Sequence, residues 1–92
     1  MDYPSLQPGQ YALIHAEVTT GTVTFADGQR YLGSGDPWLL FNSFKEAQIY
    51  AKRKIMESPE LECSIIDASH QQIERCWNQA HWQSGEKNPV HL

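Results

Sequence analysis

Residues 10–18, QYALIHAEV, alternate in character. Ala12, Ile14, Ala16 and Val18 fall on one face, and Tyr11, Leu13, His15 and Glu17 on the other, which is the period of a β-strand. Both faces are apolar at the start of this stretch. TTG at 19–21 is a turn, and the β-branched TVTFA at 22–26 is a second short strand. Asp27-Gly28 predicts a hairpin, because glycine accepts the positive φ that such a turn needs. QRYLG at 29–33 is then expected to return as a third strand. SGDP at 34–37 breaks the pattern, and WLLF at 38–41 leads into a helix.

The helix is announced by Ser43 and Glu46, three residues apart, the spacing of a capping box. Phe44, Ala47, Ala51 and Ile55 recur at helical intervals and predict a buried stripe flanked by Tyr50. Lys45, Gln48, Lys52 and Arg53 lie largely away from that stripe. Lys52, Arg53 and Lys54 gather toward the C-terminal end, where positive charge suits the helix dipole. Pro59 ends the helix, since the residue before a proline avoids the α region.

A hairpin, LECSIIDASHQQIERCW, occupies 61–77. Two registers compete. A two-residue loop at Ser69-His70 sets Cys63 opposite Cys76, but it also sets Ile65 against Glu74. A three-residue loop, Ala68-Ser69-His70, pairs Leu61 with Trp77, Ile65 with Ile73 and Asp67 with Gln71. A slip of one residue moves every side chain to the other face, so the apolar pairing favours the second register. It puts the two cysteines on opposite faces, unbonded, and it requires His70 to be left-handed. Trp38 is expected in the core and Trp77 paired within the hairpin.

Three strands, one helix and two strands predict an α+β domain: an antiparallel sheet, in chain order β-β-β-α-β-β, with the helix packed on one face. At 92 residues, 1–92 is expected to be a single domain, with 1–9 a lead-in and 83–92 a mobile tail. Hydrophobic residues make up 40% of the chain and charged residues 20%, an ordinary globular composition. The net charge of −4 argues against nucleic acid as the partner. No apolar run approaches the ~20 residues of a membrane span, and the N-terminus lacks the apolar region of a signal peptide. The expected location is the cytoplasm.

Candidate chemistry is sparse. Cys63, Cys76 and His81 lack metal-ligand spacing. GSGDP at 33–37 lacks the lysine and hydroxyl of a phosphate loop. KRK at 52–54 points three ways around a helix and is read as a solvated face. No catalytic residue, cofactor or metal site is expected, so the chain is read as a non-enzymatic protein-binding module. Glu57, Glu60, Glu62, Asp67 and Glu74 form an acidic run with no lysine or arginine among them. Such a run meets a basic partner and speeds the encounter. Trp82 either staples the tail to the sheet or anchors a partner.

The helix region LFNSFKEAQIYAKRKI with the hairpin ECSIIDASHQQI, within about residues 38–75, resembles small bacterial α+β immunity proteins. The resemblance implies neutralisation of a cognate toxin by direct binding over its active site or a nearby surface. It carries over no individual residue. Two alternatives remain open: a small accessory or structural subunit of a larger bacterial assembly, and a ligand-binding domain or enzyme using His15 or Cys63 in a pocket.

Overall fold

The computed structural model describes residues 4–83. Its elements are β1 (Tyr11–Glu17), β2 (Val23–Thr24), β3 (Trp38–Phe41), α1 (Phe44–Glu57), β4 (Leu61–Ile66), β5 (Gln72–Cys76) and a short α2 (Gln79–Gln83). The five strands form one antiparallel sheet, and α1 packs on one face, giving the predicted α+β architecture. β1 is central. β4 pairs along one side of it, while β3 takes the first half of its other side and β2 the second half. β5 lies outside β4.

The third strand is WLLF rather than QRYLG. Residues 29–33 return only as far as an isolated bridge between Thr24 and Arg30. Gly33 and Gly35 then take positive φ and turn the chain away. The half of β1 that β2 leaves unpaired is filled by WLLF, where Trp38, Leu39 and Phe41 are half-buried and Leu40 is exposed. Trp38 within it is half-buried rather than a core residue.

The helix matches its sequence signals. Ser43 is extended and its Oγ accepts the Glu46 amide at 3.1 Å. Ala47 and Ala51 are fully buried, joining Leu13, Cys63 and Ile65 in the core, with Phe44, Tyr50 and Ile55 packed around them. Small residues on the stripe let the helix axis approach the sheet closely. Ser43→Ala removes the acceptor for an amide at a helix start, and we expect a loss of about 1 kcal/mol in urea denaturation.

The hairpin departs from its expected register. The turn is as predicted: Asp67 accepts the Ser69 and Gln71 amides, and His70 takes φ 62°. Beyond the turn, Ile66 pairs with Gln72, but Ile65 pairs with Glu74, so Ile73 is an extra residue in a β-bulge. Past the bulge Ser64 faces Arg75, and Cys63 faces Cys76. The bulge reconciles two demands. Turn chemistry sets one end, and the core under α1 takes Cys63, Ile65 and Cys76 from a single face. The cost falls on Ile73, which is left 42% exposed. Trp77 does not pair with Leu61; it lies beyond β5, 36% exposed.

A short helix precedes the expected tail, and only its last residue, Gln83, falls within 83–92. Asn78 caps α2, its Oδ1 accepting the His81 amide at 3.0 Å, while its Nδ2 donates to the Ile55 carbonyl at 3.2 Å and ties α2 to the end of α1. Residues 84–92, most of the expected tail, lie outside the described residues, as do residues 1–3 of the lead-in.

Candidate functional site

The two faces of the sheet bury different chemistry. Beneath α1 a row of side chains crosses four strands: Thr24, His15, Cys63 and Cys76, each paired with the next. Thr24, His15 and Cys63 are fully buried. His15 Nε2 hydrogen-bonds the Tyr50 hydroxyl at 2.9 Å, and its Nδ1 is buried with no partner among the described residues. Burial, aided by the nearby Lys54 charge, holds the His15 pKa down at about 4, so the ring is neutral. Burial, then the neighbouring Cys76, pushes the Cys63 thiol up to about 12. Burial and the adjoining Glu74 push Cys76 up to about 11. These groups are therefore poor candidates for a base and a nucleophile.

The opposite face carries a groove of about 240 Å³. Its floor is apolar: Ile14 and Ala16 from β1, and Ile66 from β4, with Val23 and Gly21 at one end. Its polar wall is Glu62 and Ser64 from β4, with Gln72 and His70 from the second half of the hairpin. The strand period alone puts residues 62, 64 and 66 on this face and 61, 63 and 65 on the other.

Glu62 is the unusual residue. Only 8% of it is exposed, and a carboxylate so placed needs a partner. Arg75 Nη2 donates to Oε1 at 2.8 Å. Arg75 stands opposite Ser64, which makes it a diagonal neighbour of Glu62 on the same face. Its guanidinium also lies over the Trp77 ring, 5.3 Å from the centroid. The second carboxylate oxygen of Glu62 has no hydrogen bond among the described residues, and it is not sealed from solvent. Glu62, Arg75 and Trp77 thus make a chain beside the groove, with one acceptor left open.

The sequence-predicted acidic residues do not form one surface. Glu62 is at the groove. Glu74 lies on the α1 side, accepting from Gln48 Nε2 at 2.8 Å and from the Cys76 thiol at 3.1 Å. Asp67 is occupied within the hairpin turn. Glu57, at the end of α1, and Glu60, just before β4, are exposed. Trp82 lies in α2, and its side chain is outside the described residues.

Sequence reasoning missed Arg75 and Trp77 as groove neighbours. The signal was present: the register that aligns Cys63 with Cys76 also sets Glu62 beside Arg75 and Trp77. It was masked by the assumption of an unbulged ladder.

Among the described residues no three of His, Cys, Asp and Glu gather as a metal-ligand set. No helix among them is long and apolar enough to cross a membrane. Comparison with protein-family models, with curated proteins and with solved structures gave no match, so the geometry of this chain alone carries the functional argument.

Proposed function

We propose that the chain is a non-enzymatic protein-binding module that neutralises a bacterial toxin by direct contact, and that its contact surface includes the groove at Glu62. One observation carries this reading: a largely buried carboxylate, held by Arg75 on one oxygen, lines a groove together with the apolar Ile14, Ala16 and Ile66. An apolar slot ending in a carboxylate suits a lysine or arginine side chain, whose methylene stem covers apolar surface while its charged head finds the acid. The partner is accordingly basic. Trp77 and Arg75, of the residue types enriched at binding hot spots, flank the slot. Glu57 and Glu60 are exposed and serve as steering charges. The buried thiols and the neutral, enclosed His15 support a role without catalysis.

The test is a survival assay followed by binding kinetics. The product of the neighbouring gene, as candidate toxin, is expressed with and without this chain, and the purified pair is then studied at two salt concentrations. Rescue of growth is expected, with association slowing as salt rises. Glu62→Gln should raise the off-rate about thirty-fold or more, a loss of ~2 kcal/mol. Reversal of Glu57 and Glu60 together should act mainly on the on-rate. A partner that binds Glu62→Gln as tightly as the parent would remove the groove from the interface. Absence of both rescue and binding would remove the toxin.

A further inference from the structure

Cys63 and Cys76 stand directly opposite each other on β4 and β5, and both are free thiols. Opposed residues of an antiparallel pair share a face. Their Cα atoms lie ~5.5 Å apart in a hydrogen-bonded pair and ~4.5 Å in the other kind. A disulfide spans Cα separations of ~4.4–6.8 Å. Either kind of pair therefore falls within the Cα range of a disulfide. Both side chains face α1, Cys63 within the core and Cys76 packed against it, half-buried on the outermost strand.

We propose that Cys63 and Cys76 are a modification site: a cross-strand dithiol that a low-molecular-weight disulfide, RSSR, oxidises to an intramolecular disulfide fastening β5 to β4. Cys76 reacts first because it is the more accessible of the two. It gives up its proton, and its thiolate attacks one sulfur of RSSR. A Cys76–SR bond forms, the S–S bond of the reagent breaks, and RS⁻ leaves. Cys63, deprotonated in turn, attacks the Cys76 sulfur and expels the second RS⁻. The two protons released by the cysteines end on the two RS⁻ groups. Two electrons pass from the protein sulfurs to the reagent, and the products are one protein disulfide and two RSH.

Burial, which disfavours both thiolates, makes this exchange slow at neutral pH and keeps the reduced form long-lived. The bridge acts where the chain needs support. Among the described residues β5 has a strand partner on one side only, and the β4–β5 ladder contains a bulge. The residues next to the two cysteines, Glu62 and Arg75, make the ion pair of the groove on the opposite face. Oxidation would pin the two strands that carry this pair.

The experiment is incubation of the full chain with oxidised glutathione, then alkylation, peptide mapping by mass spectrometry and thermal melting. The expected result is loss of both alkylatable thiols, a Cys63–Cys76 linked peptide with no retained glutathione, and a melting temperature raised by several degrees. Cys63→Ser should stop at a glutathione adduct on Cys76, which identifies the first attacking group. The same incubation is repeated just below the melting transition, where the edge strand opens. Thiols still unmodified there, a glutathione adduct on Cys76 that persists in the parent chain, or a disulfide form that melts lower than the reduced form would each overturn the proposal.

Discussion

Ala51→Glu is expected to unfold the domain. Ala51 is fully buried in the middle of the α1 stripe and shares its cluster with Leu13, Cys63 and Ile65. The hydrophobic side chains packed against that cluster are Tyr11, Phe41, Phe44, Tyr50, Ile55 and Cys76. A glutamate there loses its hydration among apolar side chains, with the half-buried Lys54 a turn further along the helix. An uncompensated buried charge costs roughly 3–5 kcal/mol, and forcing a longer side chain between helix and sheet adds about 1–3 kcal/mol of strain. A small domain is stable by only ~5–15 kcal/mol in total. The neighbouring substitution Lys52→Glu, at an exposed position, should change stability by less than ~0.5 kcal/mol. Circular dichroism melts of both variants provide the check. If Ala51→Glu melted within a few degrees of the parent, the packing face assigned to α1 would be wrong.

Stability should also fall as the solution is acidified from pH 6.5 toward pH 4. His15 is the cause. Its pKa is about 4 in the fold, against 6.5 when exposed. Between those values the unfolded chain binds a proton that the folded chain refuses, so acid favours unfolding. Above pH 6.5 the ring is neutral in both states and imposes no penalty. Below about pH 4 it is charged in both, and the full loss has accrued, roughly 3 kcal/mol by the displacement of the pKa. The slope should approach ~1.4 kcal/mol per pH unit in the middle of that window. Glu17, whose pKa is lowered by its hydrogen bonds to Arg30 and Thr20, contributes an acid loss only as pH falls below its ordinary value of 4.5. From pH 6.5 to 4.5 the Glu17 loss is therefore small beside that of His15. Urea titrations across it, on the parent and on His15→Asn, should show the slope in the first and its disappearance in the second. An equal slope in both would assign the acid sensitivity to another group.

The same residue shows how local pattern and tertiary packing divide the work. Alternation along 10–18 places His15 on the face of Leu13 and Tyr11, and the sequence alone makes that face a strand face. It does not say which face α1 covers, because β1 is apolar on both. Packing decided that α1 lies over Leu13 and His15, leaving Ile14, Ala16 and Glu62 to line the groove. Only that choice gives His15 its half-buried Tyr50 partner and its depressed pKa.

Elements governed by neighbouring residues were legible in the sequence. The Ser43 cap, the Phe44–Glu57 helix with its Ala47 and Ala51 stripe, and the Asp67 turn with left-handed His70 all depend on interactions within a few positions. So does the order of strands and helix, which predicts the layered α+β class. Elements that depend on distant segments were not legible. WLLF became β3 because half of β1 was open beside it, a vacancy that no local signal records. The bulge at Ile73 arose because the turn at one end of the hairpin and the helix-covered core at the other demand registers one residue apart. That single residue set Cys63 against Cys76 and brought Arg75 and Trp77 to Glu62. Local pattern was enough for β1, β2, α1, the strands of the last hairpin and the turn between β4 and β5, but not for the segment that completes the sheet as β3. The tertiary structure decided the register of the last strand, because register is settled by which side chains the opposing layer will accept. The candidate site followed from that register.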